Sequence, residues 1–405
     1  MIAAILQRGP WGADAFAAAR PYAARTALLF VAGVEFAVLL AWLPDTMRQW
    51  RDAAPLAPSD ERPMGDWQVF YAYAKALDAN GLYNPILPVI QHPFTWLPID
   101  TAYRVHMVLA ATCVIATALL AQRSVRSIEA KLAVVLGVLS LPQMHWALRG
   151  ATLTPFIGLA TLSGFLLLPR HPRLAGVCFA VLAIKPQFAL VPFAYLLLSR
   201  HWRALGWAMG ATAAMTVVGL AIVGFGYTET YVRMLVDWGP DQRDNLSPIA
   251  QSWQHTWPGV LRSIGAQPHP LLWLDLIAVS LVALWLACRR TPAAMHGGAV
   301  ALGMLVATPY AMFYDWGLLA VAGVLLLTAR AHHPVLVPAL LVGGYAAAVA
   351  TQAATPYPPP FPFVEDGVTV WPSSTYGLYW TAPFALLALA ALAIRGSDRP
   401  TASAT

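Results

Sequence analysis

Residues Arg173–Arg200 read RLAGVCFAVLAIKPQFALVPFAYLLLSR. Between the two arginines lie 26 residues whose only charge is Lys185, followed at once by Pro186. Two apolar runs bracketed by arginine and interrupted by a single Lys-Pro describe a membrane hairpin. A full crossing takes about 20 apolar residues, so the two arms are short for two ordinary crossings. Either both helices are short, or the tip stops inside the bilayer thickness. Proline supplies no backbone donor and pushes the preceding residue out of helical geometry, so a break is expected at Lys185. Irregular backbone at membrane depth is tolerated only against protein or a water-filled cavity.

The remainder of the chain is written for the same solvent. Of 405 residues, 59% are hydrophobic and 11% charged, with a mean hydropathy of +0.59. An average soluble protein is roughly 25% charged, so a soluble multi-domain chain is excluded. Apolar runs fall at about 27–43, 103–121, 132–148, 151–168, 174–184, 187–198, 204–225, 271–288, 295–309, 314–329, 335–351 and 377–394. The expectation is an all-α polytopic membrane protein with about 12 transmembrane helices, forming one integrated unit over 1–405.

Fifteen of the 25 Lys and Arg fall on one side of these runs, among them Arg8, Arg20, Arg25, Arg170, Arg173, Arg200, Arg203, Arg395 and Arg399. The positive-inside rule assigns that side, and both termini, to the cytoplasm of a plasma (inner) membrane. The basic pI of 9.3 therefore reflects topology, and nucleic acid is not an expected partner; membrane lipids are. Three long loops, about 44–102, 226–270 and 352–376, lie on the opposite side with nearly all the acids. Chemistry or binding is expected on that outer face. Cys113, Cys178 and Cys288 sit apart in apolar runs and imply neither disulfide nor zinc. No signal peptide is expected from the mixed segment before Arg25.

In the first outer loop, Asp66 precedes Trp67, Phe70, Tyr71, Ala74 and Leu77, a helical spacing that predicts an amphipathic helix in the outer interface. Asp66 is either its N-cap or a general base held at the membrane surface. Lys185 in a hydrophobic hairpin calls for a phosphate or carboxylate partner, unless it snorkels to the interface. Arg149 interrupts a tight reversal and meets a lipid phosphate or the head groups at large. Glu35, deep in the first run, suggests an interhelical ion pair or a protonated carboxyl before catalysis. Asn245 and Ser247 stand in a polar, aromatic stretch that suits sugar hydroxyls or an ordinary loop equally. Asp315, at a second tight reversal that runs from Thr308 and Tyr310 to Asp315 itself, either orients a base, accepts from a hydroxyl or caps the next helix. The Pro-rich 357–362 segment is expected to be stiff, as a lid or wall, with Glu365 and Asp366 as surface charges. Phosphate-loop, HExxH and nucleophile-elbow motifs are missing, and neither a cofactor nor a metal is expected.

Several elements coincide in order: Gly65-Asp66 before an aromatic helix, Gly81-Leu82-Tyr83-Asn84-Pro85, Ile184-Lys185-Pro186-Gln187 with His201-Trp202-Arg203, Asn245-Leu246-Ser247, and Pro309-Tyr310 with Tyr314-Asp315. Together they resemble glycosyltransferase family 87, of the GT-C superfamily, over 27–330, leaving two unmatched spans and the Pro-rich loop in 331–405. The resemblance implies transfer of a hexose, with mannose expected, from a polyprenyl-phosphate sugar donor to a lipid-linked or glycan acceptor on the outer face. It implies Asp66 as catalytic base and inversion at the anomeric carbon. It further implies Lys185, Gln187, Arg149, Asn245, Ser247, Tyr310 and Asp315 on the substrate side. Where many relatives carry Gly-Gln near the end of the fourth span, this chain has Gly150-Ala151. The rival readings are a transporter or flippase, which explains Lys185 and Glu35 but not the long outer loops, and a non-catalytic scaffold.

Overall fold

The structure, a computed structural model, describes residues 13–51, 70, 71, 74, 75, 77, 84–123, 125–229, 256–264, 270–308, 311–328, 335–354, 363–365, 368–370 and 380–395. It is helical apart from one small hairpin. Helix α1 spans Ala13–Arg51, α2 Ile86–Gln91, α3 Ile99–Gln122, α4 Ile128–Ser140, α5 Pro142–Arg149 and α6 Thr154–Leu167. They are followed by α7 Pro172–Val181, α8 Pro186–Leu198, α9 Trp202–Val223 and α10 Trp257–Ser263. The remaining helices are α11 Pro270–Arg290, α12 Ala293–Val306, α13 Leu318–Thr328, α14 Leu336–Ala354 and α15 Thr381–Arg395. Among the described residues, four helical stretches are long and apolar enough to cross a membrane alone: Arg25–Arg48, Ile99–Gln122, Trp202–Val223 and Leu336–Ala353. A fifth arises if the bent pair α4–α5 is one span. Six shorter apolar helices are also found among the described residues, and α11 adds 21 more helical residues. A 13-residue helix rises only about 20 Å, less than the roughly 30 Å hydrocarbon core.

The surface matches the composition. Phe30, Leu190, Leu198 and Val217 are among many large apolar side chains left exposed, a surface fit for lipid rather than water. Inside, α12 is wrapped on all sides, and its small residues set the spacing. A Cβ on Gly298 would stand 2.5 Å from Leu326 Cγ, and one on Gly303 2.6 Å from a Leu284 methyl. Helices in lipid gain little from apolar burial alone, so close approach over small residues carries much of their association. The same device joins α7 to α9: a Cβ on Gly176 would collide with the Ala204 carbonyl and come within 2.7 Å of Trp207 Cβ.

The Lys185 break is present. α7 tightens through a 3-10 turn at Leu182–Ile184, Lys185 leaves helical geometry at φ −111° and ψ 85°, and Pro186 opens α8. The run read as continuous at 132–148 is instead two helices bent by 46°. Pro142 is responsible, since Leu141 before it is extended (φ −60°, ψ 117°). α5 ends in a Schellman motif, with Thr152 N–H donating to Ala147 O and Ala151 N–H to Leu148 O. The residue in the left-handed position is Ala151, at φ 45°, where glycine is the usual occupant. Of the expected interfacial helix, Phe70, Tyr71, Ala74 and Lys75 are described and helical, with Phe70 and Ala74 buried on one face. The third outer loop contains an unanticipated antiparallel hairpin, β1 Phe363–Glu365 with β2 Val368–Val370. The Asp-Gly pair joining these strands in sequence is a strong hairpin signal; the residues 355–362 and Asp366 lie outside the described ones.

Glu35 is 7% exposed, lies against Gly137 with Oε1 2.7 Å from where a Cβ would stand, and makes no ion pair among the described residues. Its neighbourhood is neutral and uses the missing side chain of Gly137 for room.

Two helical glycines give a controlled test of the small-residue contacts. Gly206 in α9 has nothing within 4 Å of a built Cβ, whereas Gly176 has none of that room. In detergent, Gly176→Ala should lower the thermal midpoint, by overpacking worth about 1–3 kcal/mol. Gly206→Ala should hold or raise it by up to about 1 kcal/mol through helix propensity.

Candidate active site

Three chain reversals converge on one carboxylate. Asp315 lies in the first turn of a 3-10 helix, Phe313–Gly317, and is fully buried. Its Oδ2 accepts the Met312 backbone N–H at 3.0 Å, so it caps its own turn. Its Oδ1 accepts the Thr154 hydroxyl at 2.6 Å and the Lys185 ammonium at 2.8 Å. Lys185 is 1% exposed and lies 5.5 Å from the Phe188 ring centroid and 5.2 Å from that of Tyr314. Of the two partner chemistries expected for Lys185, the structure supplies the carboxylate. Snorkelling does not occur, and the ammonium has no open surface toward a phosphate.

Thr154 was not singled out from the sequence. It opens α6 ahead of Pro155, a pattern that reads as an ordinary helix start, and its hydroxyl role depends on a residue 161 positions away. Asn84, quoted only as part of a motif, is the second addition. Its backbone N–H donates to Ile184 O at 3.2 Å, and its side chain spans Ile86 N–H at 3.1 Å and the Thr216 hydroxyl at 2.9 Å. The end of the first outer loop is thereby tied to the broken hairpin one residue before Lys185. Close backbone approach completes the tie, since a Cβ on Gly219 would stand 2.5 Å from Ile86 N.

Arg149 is the accessible cation here. It is half-buried at the end of α5, with its guanidinium 4.5 Å from the Trp146 ring centroid. Tyr103 donates to its carbonyl at 2.6 Å. Behind it Trp146 packs with Trp42, Met312 and Tyr314, which joins Arg149 to the reversal carrying Asp315. Ala151 is fully buried in a cluster with Ala102, Tyr71, Phe94 and Tyr103. The segment following Asp66 in sequence thus packs against the turn following Arg149. Gln187 stands half-buried in the first turn of α8. Asp66, Asn245, Ser247 and Tyr310 lie outside the described residues.

Chemically the arrangement is a rigid floor, in which the buried Lys185–Asp315–Thr154 group locks three reversals, beside an arginine stacked on tryptophan. Such a floor can hold an anionic group at Arg149 without moving. The family model described as glycosyltransferase family 87 matches residues 82–314, more than half of the chain; it encloses Arg149, Thr154 and the hairpin broken at Lys185, and ends one residue before Asp315. Neither the curated proteins nor the solved structures give a match.

The lock makes a testable demand. Lys185→Met alone leaves a buried carboxylate without its counter-charge and should cost about 3–5 kcal/mol. Adding Asp315→Asn removes that charge while keeping an acceptor for Thr154 or Met312, and should restore most of the loss. Thermal unfolding of wild type, both single variants and the double variant in one detergent measures the coupling.

Proposed function

The chain belongs to glycosyltransferase family 87, and from that premise we propose that it moves a hexose, mannose in the first instance, from a polyprenyl-phosphate donor to a lipid-linked or glycan acceptor with inversion. In this reading twelve crossings place both termini in the cytoplasm and the site at the outer face of the plasma membrane, toward the periplasm or exterior. The observation that carries the proposal is the family match across 82–314. The locked reversals beside the half-buried Arg149 support it.

Asp66 lies ahead of the matched segment and is proposed as the base. Its carboxylate takes the proton of the acceptor hydroxyl as that oxygen attacks the anomeric carbon. The bond from that carbon to the phosphate oxygen breaks, and polyprenyl phosphate leaves with the electron pair. Attack from the face opposite the phosphate inverts the centre. Negative charge grows on the leaving phosphate, and Arg149 is the proposed counter-charge, effective because Trp146 covers one guanidinium face and limits its hydration. Lys185 and Asp315 act in this proposal as positioning residues, fixing the tips that frame the donor phosphate. Gln187, Asn245, Ser247 and Tyr310 are the proposed polar contacts to sugar and acceptor. The lipid donor keeps its chain in the bilayer, so a site built from helix tips near the interface can receive the sugar without extracting the carrier.

The test is sugar transfer by purified protein supplied with radiolabelled polyprenyl-phosphate mannose and a membrane lipid extract. Asp66→Asn should lower transfer by about 10²–10⁴-fold with an unchanged melting profile. Transfer by Asp66→Asn equal to wild type would sink the base assignment. Absence of transfer from any polyprenyl-phosphate sugar, with substrate-dependent flux in liposomes, would replace the enzyme by a transporter.

A further inference from the structure

A second built feature lies at the opposite ends of the same helices. The turn from α6 to α7 and the start of α7 carry Arg170, His171 and Arg173, and the start of α9 carries Arg203. The α6–α7 turn and the first residues of α7 and α9 border an open depression of about 330 Å³ lined by Arg170, His171, Pro172, Arg173, Leu174 and Arg203, with no acidic residue in its wall. None of the three arginines forms an ion pair with a described residue. The depression is held open by the fold, since the Gly176–Ala204 contact fixes α7 against α9 one turn beyond it. The start of α7 at His171 and that of α9 at His201 both lack a side-chain cap, so unbonded backbone N–H groups add to the positive field.

The wall changes character toward the outside of the bundle. Leu174 in the lining is 56% exposed, and Val177, Trp202 and Trp207 beside it are exposed as well. Tryptophan at such a level marks a membrane–water interface. A free phosphate has no use for this apolar flank, whereas a molecule with a phosphate head and an acyl chain matches both halves. We propose that this depression is a binding site for an anionic phospholipid of the cytoplasmic leaflet. The phosphate is held by Arg170, Arg173 and Arg203, and an acyl chain lies along Leu174, Val177 and Trp207. The site is separate from the transfer chemistry and does not depend on it. It uses the basic residues that orient the chain for recognition as well as for topology.

Native mass spectrometry of the full-length protein in detergent, titrated with phosphatidylglycerol or phosphatidylcholine, tests the site. Wild type should retain phosphatidylglycerol preferentially. Each basic residue at a charged membrane surface is worth about fivefold in affinity. The combined Arg170→Gln, Arg173→Gln, Arg203→Gln variant should therefore bind it on the order of a hundredfold more weakly, while the same three positions as lysine keep most of the preference. A photoactivatable phosphatidylglycerol on wild type should label the two turns and the exposed flank of α7 and α9. Equal retention by the glutamine variant, displacement by millimolar inorganic phosphate, or labelling spread evenly over the lipid-facing surface would each overturn the assignment.

Discussion

An ammonium and a carboxylate 2.8 Å apart, both closed off from solvent, fasten the two broken hairpins of this bundle to one another. Apolar side chains of similar volume often do as well or better for stability in such a place, so stability alone does not explain the choice. Direction does. Asp315 takes a hydroxyl from α6, an ammonium from the break before α8 and a backbone N–H from its own turn. Each partner fixes a different element, and no leucine cluster constrains three reversals at three angles. Arg149, Trp146 and the end of the first outer loop are then placed relative to a fixed point.

That fixed point acts together with neutral interhelical hydrogen bonds such as Ser140–Tyr345 and Gln143 to the Ala348 carbonyl. The solvent is as apolar as the helix faces, and packing specificity has to come from shape. Gly176 against Ala204, Gly219 against Ile86 and Gly298 against Leu326 bring backbones close enough to give shape a consequence. Short helices follow from the same arrangement. Helices such as α7, α8 and α12 need not cross the hydrocarbon region unaided when their tips end in a hydrogen-bonded group inside the protein.

Legibility in the sequence tracked how local each cause was. The Lys185 break was readable because Lys-Pro acts through its own two residues; the predicted spacing held for Phe70 and Ala74, which are helical and buried, but not for Leu77, which stands in a turn at φ 48°. Lys185 and Asp315 were each singled out, yet their pairing spans 130 residues and belongs to tertiary packing. The Pro142 kink was hidden by averaging, since Ser140-Leu141-Pro142-Gln143 lies inside a long apolar run. Thr154 looked like a helix start because it is one, and its second role needs a distant acceptor. The β1–β2 hairpin was overshadowed by the prolines that precede it. The proposed base, Asp66, rests on the sequence and its resemblance to the family, ahead of the matched segment, and the described structure resumes four residues after it at Phe70.

Of the three non-glycine residues at positive φ among the described residues, Leu77, Ala151 and Arg200, the last two follow helix ends in the bundle. Ala151 at φ 45° and Arg200 at φ 59° each occupy the position where a Schellman motif favours glycine, after α5 and after α8. Such a conformation costs roughly 1–2 kcal/mol for a residue bearing a Cβ, and it persists only where surrounding contacts over-determine it. Ala151 is fully buried in the cluster it forms with Ala102, against which Tyr71, Phe94, Ile99 and Tyr103 pack. At Arg200 the turn brings the chain into α9 within two residues, so that Arg203 faces the depression with Arg173 and the turn adds its own positive charge on that side. A glycine at either place would relax the backbone. At Ala151 it would also remove a buried methyl two residues from Arg149, and at Arg200 a cation from the turn that leads to Arg203. The strain therefore sits where relief would remove a feature the neighbouring site uses.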